Sequence, residues 1–251
     1  MSKTHPMAAP DRSRWPLLRT VLPLVAMLWA WEAACDPTFE RVIRFSGYEW
    51  RVKASTGPVG PGPNYFSDAS ESVWVDRNGW LHLKAREEAG RWLAAEVVLA
   101  DSLGFGKYVF EVDSAAVDID RNAVLGLFTW SDETAFAHRE IDIEISRWGD
   151  PANPNGQCVV QPYHVSGAVV RFDLPAGETM LDLRFAWSRD SVRCTAATPG
   201  RPNLFEHRFT HGIPQAGGET ARINLWLTAG RPPASGAPVE VIVKRFAFST
   251  E

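Results

Sequence analysis

The chain has 251 residues, with 26 Lys and Arg against 30 Asp and Glu and a formal net charge of −4. That mildly acidic balance argues against a general nucleic-acid binder, which would present a basic face. The length suits a short leader followed by one large all-β domain, and it is enough to bury a core without cross-links.

Residues 1–34 read as a targeting segment. Lys3, Arg12, Arg14 and Arg19 precede an apolar run from Val21 to Trp31, and Ala33 and Ala34 follow. A basic region, a short apolar core and small residues make the pattern of a secretory signal. The run is shorter than the roughly 20 residues that span a bilayer. An amphipathic helix packed on the domain and an uncleaved anchor are the alternatives. Cys35 directly after two alanines resembles a bacterial lipoprotein processing site, although Glu32 stands where an apolar residue is usual. The expectation is an exported protein, secreted or periplasmic, with Cys35 a candidate lipid anchor.

Residues 36–251 carry no long helical periodicity. They form short β-like runs broken by Gly, Pro, Asn and Asp, which predicts a sandwich or barrel. Residues 41–53 predict one or two strands around Ser46–Gly47, and residues 56–64 (TGPVGPGPN) predict a loop. Residues 72–76 and 80–85 flank Arg77–Asn78–Gly79, where Asn–Gly is a strong hairpin signal. Strands are predicted over 91–99, 107–112 and 124–130, the last apolar enough to be buried on both sides. The next is 140–145. Residues 151–156 are turn-rich. Further strands are predicted over 158–163, 169–174, 180–188, 191–196 and 222–228, with a weaker one at 207–210. A loop over 231–238 leads to a closing strand at 239–248. More than ten strands are more easily accommodated by two stacked antiparallel sheets than by one open sheet. Cys158 and Cys194 either pair, as exported cysteines often do, or are two buried thiols.

One stretch departs from ordinary strand chemistry. In HREIDIEISRW, Glu140, Asp142 and Glu144 alternate with Ile141, Ile143 and Ile145. Successive strand side chains point to opposite faces, so three carboxylates share one face and three isoleucines the other. The isoleucines predict a core. The acids predict chemistry, because like charges on neighbouring same-face positions repel. A retaining glycosidase needs one carboxyl as nucleophile and another as acid/base, about 5–5.5 Å apart. Glu140 and Glu144 supply such a pair, and Asp142 between them raises a neighbour's affinity for a proton.

The run EIDIE resembles the active-site strand of glycoside hydrolase family 16. The stretch VLGLFTW, ending at Trp130, sits where that family has a strand leading to a substrate-binding Trp. PNYFSDASESVWVDRNGWLHLKA resembles its early hairpin, and NLWLTAG with VEVIVKRFAF its closing strands. The resemblance covers roughly residues 40–250. It implies an all-β jelly-roll sandwich of two curved antiparallel sheets and endo-acting cleavage of internal β-1,3 or β-1,4 linkages in a glucan or galactan, with retention. It further implies Glu140 as nucleophile, Asp142 as assistant and Glu144 as acid/base. Ala137–His138–Arg139 departs from the Trp–Pro pair or Gly usual before the first Glu. The motif lacks the extra residue of laminarinase-like members, which favours a mixed-linkage glucan.

Trp130, Trp148 and Trp226 are candidates for stacking on sugar rings, with core packing as the alternative. Gln161 and Tyr163, expected on the strand after the acids, are candidates for binding sugar hydroxyls. Asn64 and Tyr65 reach the cleft by the same resemblance, or else lie in an exposed turn. His138 shares the parity of the acids, which raises a divalent-cation site. A regular strand, however, lacks the loop carbonyls that calcium recruits. No catalytic metal and no required cofactor are expected, while the resemblance implies a possible structural calcium. The expected partner is a polysaccharide, with the chain a monomer. The rival expectations are a non-catalytic, lectin-like carbohydrate-binding sandwich, and a transglycosylase using the same acids.

Overall fold

A computed structural model describes residues 36–250. The expected signal segment and Cys35 lie outside the described residues. In chain order the strands are β1 (Val42–Phe45), β2 (Tyr48–Val52), β3 (Tyr65–Phe66), β4 (Val73–Val75), β5 (Leu81–Glu88), β6 (Arg91–Leu99), β7 (Gly106–Asp113) and β8 (Ala123–Trp130). They continue as β9 (Ile141–Ser146), β10 (Gly156–Val160), β11 (Val169–Phe172), β12 (Met180–Trp187), β13 (Val192–Thr198), β14 (Arg201–Phe209), β15 (Thr220–Leu227) and β16 (Val239–Ser249).

The strands form two layers. One sheet runs β1-β2-β6-β15-β8-β9-β10-β11, and the other runs β4-β5-β16-β7-β12-β13-β14. The hairpin between β5 and β6 belongs to both, pairing Arg86 with Leu93 and Glu88 with Arg91, so the hydrogen-bonded path passes from one layer to the other. Every named pair is antiparallel except β3 with β6. This is the expected jelly-roll sandwich, with the two sheets continuous at one corner.

Local sequence accounts for most of these elements. Ser46 and Gly47 both have positive φ and close the β1–β2 hairpin, with Phe45 opposite Tyr48; two residues in that region match the twist of the flanking strands. Residues 77–79 join β4 to β5 as expected. The turn at Ala89–Gly90 repeats the first geometry, with φ of 50° and 78°. It carries β5 past its predicted end, because an alanine gives no turn signal. In β12 the side chains alternate, with Leu181, Leu183, Phe185 and Trp187 at 0–1% exposure. Between the layers lie large buried aromatics, among them Trp50, Trp187, Tyr108, Phe110, Phe185 and Phe246. Tyr108 stacks on Phe185 with centroids 4.6 Å apart, and Phe246 meets Trp50 edge-on.

The boundaries of β14 and β10 also differ from expectation. β14 begins at Arg201, six residues before the predicted strand, and pairs with β13 through a register shift near Thr198. β10 covers Gly156–Val160 and ends before Gln161, so Tyr163 is not on a strand. Pro162 lacks the N–H that would continue the ladder.

Cys158 on β10 and Cys194 on β13 form a disulfide, which staples the two layers. The bond spans a sequence separation of 36 residues. Closing a loop of that size in the unfolded chain is worth roughly 3–4 kcal/mol in the chain-entropy picture. The double variant Cys158→Ala/Cys194→Ala is therefore expected to lose about that much unfolding free energy in urea titrations. Reductant should destabilise the native chain to match and leave the double variant unmoved.

Candidate active site

Strand β9 positions the acids. Ile141, Ile143 and Ile145 are 0–1% exposed in the core, which turns Glu140, Asp142 and Glu144 to the outer face of their sheet. Glu140 sits just before β9 in extended conformation and keeps its alternation. The outer face forms a cleft of about 930 Å³, and all three acids line it.

The backbone before Glu140 is unusual. Ala137, His138 and Arg139 have φ of 49°, 59° and 51°, three consecutive non-glycine residues in the left-handed region. Such conformations cost free energy and persist only where surroundings over-determine them. Here Thr129 Oγ1 donates to the Arg139 carbonyl at 2.7 Å and accepts from Ile141 N–H at 3.2 Å. The buried Arg139 side chain donates to Gln215 O and Ser131 Oγ. It also lies over Phe136 at 4.5 Å. The turn delivers Glu140 to the cleft at the end of a heavily fastened segment. It also overturns the parity expected of His138. That ring stacks on Trp130, with centroids 4.0 Å apart, and Nδ1 donates to Ser131 O. Among the described residues no group of three or more His, Cys, Asp or Glu could hold a metal ion with side chains alone.

Register explains what surrounds the acids. Gln157, Glu144, Gly126, Asn224 and Glu96 form one row across β10, β9, β8, β15 and β6. Gln157 Nε2 donates to Glu144 Oε2 at 2.5 Å. Gln161 Nε2 donates to Asp142 Oδ2 at 3.2 Å, and its Oε1 accepts from Tyr163 N–H. Gly126 keeps the row open, since a Cβ there would lie 2.5 Å from Asn224 Oδ1. At the far end Glu96 is buried and takes Lys53 Nζ at 3.0 Å and Arg222 Nη1 at 3.2 Å.

Burial raises the proton affinity of all three acids. Glu140 is pushed up to about 7, chiefly by desolvation, with the charges of Glu144 and Glu96 adding to it and Arg222 opposing. Asp142, buried, lies well above the usual carboxylate range through desolvation and the charges of Glu140 and Glu144. Its hydrogen bond with Glu140 raises Asp142 and lowers Glu140, so the two carboxyls share a proton. Glu144 is raised by burial, against the Gln157 hydrogen bond and the charge of Arg171.

Trp130, Trp148, Trp226, Gln161 and Tyr163 all line the cleft with the acids. One face of Trp130 is covered by His138, and the Arg222 guanidinium lies 6.0 Å from the ring centroid. Trp148 lies under the Arg171 guanidinium at 4.6 Å. Asn64 does not line the cleft. Its side chain is buried and bonds Pro61 O, Leu227 O and Leu227 N–H, fastening the Pro/Gly loop to β15. Tyr65, on β3, does not line it either; its ring lies under Arg91. Glu96, Lys53, Arg222 and Asn224 were missed by sequence reasoning. The available signal was Glu96 itself, a lone charge inside the apolar run WLAAEVVLA.

No protein-family model and no curated protein sequence matches the chain. Solved structures do. A β-glucanase of Bacillus licheniformis superposes with a TM-score of 0.61 at 17% identity, covering 87% of this chain and 100% of that one. A β-1,3-1,4-glucanase (lichenase) from a mouse hindgut metagenome gives 0.57 at 16%, covering 80% and 93%. An immunostimulatory antigen of Mycobacterium tuberculosis described as a pseudo β-1,3-glucanase gives 0.56 at 20%, covering 80% and 91%. The described residues thus have the jelly-roll fold of the β-glucanases.

The raised Glu140 makes a stability prediction. Folded, Glu140 holds a proton up to about pH 7; a free glutamate releases it near 4.5. Between these values the folded chain binds more protons than the unfolded, so this group's contribution to stability falls as pH rises through the window. Glu140→Gln removes that slope. Its melting temperature should exceed that of the native chain above pH 7 and converge on it toward pH 4.5. A difference that stays constant across the window would contradict the assignment.

Proposed function

We propose that the chain is an exported, retaining, endo-acting glycoside hydrolase that cleaves internal β-1,3 or β-1,4 linkages of a β-glucan or galactan. The observation that carries this reading is the trio Glu140, Asp142 and Glu144 on the floor of an aromatic-bordered cleft, with Asp142 enclosed between the other two. The β-glucanase names of the two bacterial and metagenomic structures support it at the level of fold. The disulfide fits an oxidising compartment.

In this mechanism Glu144, whose proton affinity burial raises, gives its proton to the glycosidic oxygen as the bond to the leaving sugar breaks. Glu140 attacks the anomeric carbon from the opposite face and forms a glycosyl–enzyme ester. Asp142 carries the shared proton and hydrogen-bonds Glu140, helping it to act as an anion before attack and as a leaving group afterwards. Glu144, now ionised, takes a proton from water, whose oxygen displaces Glu140 and restores the anomeric configuration. Trp226 and Trp130, which line the cleft, border the sugar rings, and Gln161 and Tyr163 serve hydroxyls at the rim.

A second reading has a specific observation behind it. The Mycobacterium tuberculosis structure of the same fold is described as a pseudo β-1,3-glucanase. The fold alone does not fix catalysis, and a carbohydrate-binding module is the alternative. Incubating the purified chain with a polysaccharide panel, and sizing the products, separates the two. Hydrolysis by the native chain should fall by at least about a hundredfold in Glu140→Gln and in Glu144→Gln. Equal rates in native and variant chains would overturn the roles given to these acids. Saturable binding with no product from the native chain would establish the module instead.

A further inference from the structure

The outer face of the second sheet carries a concavity that the hydrolase mechanism does not use. Strict alternation builds it. On β12, Phe185 and Trp187 point into the core at 0–1% exposure, which turns Arg184 and Ala186 outward, with Ser188 following the strand's end. On β13, Val192 and Cys194 point inward at 0–1%, which turns Arg193 and Thr195 outward. Register then places Lys107, Ala186, Arg193 and Arg208 in one row across β7, β12, β13 and β14. Adjacent strands lie about 4.8 Å apart, so the cations of this row span a strip about 14 Å wide. The small Ala186 leaves a hollow of about 220 Å³ at its centre.

The chemistry of this hollow is one-sided. Lys107, Arg184, Arg193 and Arg208 line it together with the hydroxyls of Ser188, Ser191 and Thr195, and no carboxylate lines it. Two of the cations are balanced from outside: Arg184 donates a two-pronged hydrogen bond to Asp182, and Arg193 lies 3.9 Å from Glu206. Lys107 and Arg208 have no carboxylate partner among the described residues. On a chain of net charge −4 this is a local inversion of sign. The donors are also held in place. Arg208 Nη1 donates to Ser191 Oγ at 2.9 Å, and Ser191 Oγ lies 3.2 Å from Ser188 Oγ. Asp182 fixes the plane of Arg184. A guanidinium already fixed in orientation loses less entropy when it forks onto an oxyanion.

We propose that this hollow is a second binding site, on the face opposite the cleft, for a sulfate- or carboxylate-bearing stretch of polysaccharide. The oxyanion preference follows from the lining. That the oxyanion arrives on a polysaccharide rests on the function proposed above. The lining itself argues against the other polyanions. No lining residue is aromatic, so nucleic-acid bases have no platform to stack on. The exposed large apolar side chains among the described residues are Val42, Phe136, Tyr163 and Val165, none of them on β7, β12, β13 or β14. A lipid surface is therefore offered no residue to insert. The site lets the enzyme hold a charged region of a polymer while the cleft works on another.

Calorimetric titration of the full chain carrying Glu140→Gln tests this without turnover. The probes are dextran sulfate and unmodified dextran of equal length at low ionic strength. Dextran sulfate should bind and dextran should not, and added salt should weaken the binding. Adding Lys107→Gln and Arg208→Gln should weaken dextran sulfate binding at least about tenfold, a loss of about 1.4 kcal/mol. An unchanged melting temperature confirms that this variant is folded, and Lys107→Gln alone serves as the smaller step should it not be. No binding of dextran sulfate, equal binding by the charge-removed variants, or binding of duplex DNA or anionic vesicles as tight as that of dextran sulfate would overturn the proposal. Loss of hydrolysis in the polysaccharide panel concerns the cleft alone and does not move this titration.

Discussion

Placing three carboxyl groups on one face of one strand is the constraint on which the rest of the site depends. Water is largely excluded from Asp142, which is 4% exposed, so the trio cannot all ionise near neutral pH. Burial and mutual repulsion hold protons on the cluster, and the neighbours decide where those protons sit. Gln157 and Gln161 each aim an N–H at a carboxylate oxygen, at Glu144 and Asp142 respectively. Hydrogen bonds to the charged form favour it, so these two glutamines limit a shift that desolvation alone would make larger. Such a strand is costly to fold. The opposite face offsets that cost, since Ile141, Ile143 and Ile145 are buried against the second layer. The same alternation that creates the repulsion supplies the attachment that tolerates it.

The cleft floor shows a second balance of charge, reached differently. Glu96 is 1% exposed and would be untenable alone. Lys53 and Arg222 take its two oxygens, and Asn224 lies 3.4 Å from one of them. Lys53 Nζ also donates to Gly60 O and sits over the Phe66 ring at 4.1 Å, so its charge is spent on several partners. Burial of this kind is weak as a source of stability and strong as a way of fixing geometry. It orients Arg222 between Glu96 and Trp130, where its charge opposes the rise in Glu140. Gly126 separates this neutralised cluster from the acids of β9. Any side chain there would meet Asn224, and the row would lose its opening.

Much of this was legible in the residues because it is periodic or local. The two-residue alternation of β9, the turns at Ser46–Gly47 and Asn78–Gly79, and the apolar run of β8 each carry their structural signal within ten residues. What was not legible depends on partners distant in sequence. Nothing within β6 says that Glu96 faces Lys53 and Arg222, which are 43 and 126 residues away. Asn64 read as a cleft or turn residue because its partner, Leu227, lies 163 residues on. The left-handed turn at Ala137–Arg139 was invisible for another reason. Ala137 and Arg139 do not favour positive φ, and a single His138 that tolerates it does not signal a three-residue turn, so the conformation is imposed by Thr129, Ser131 and Gln215. His138 was assigned the parity of a strand that begins only after the turn.

The disulfide connects these observations. Cys158 follows Gln157, the donor to Glu144, and Cys194 lies between Arg193 and Thr195, which line the hollow of the second sheet. Both cysteines point into the core, and their outward neighbours are thereby held at fixed heights above their sheets. A covalent bond between layers constrains the unfolded chain most and the folded one least. Its position nonetheless ties the two outer faces of the sandwich together at the strands that carry polar function. A jelly roll can host many activities on either face. In this chain the inward half of the alternation is nearly all apolar, and the outward half differs between the sheets: carboxyls and aromatics on β8 and β9, guanidiniums and hydroxyls on β12 and β13. The core specifies where each outward residue stands, and the sign of the charge placed there specifies what each face can hold.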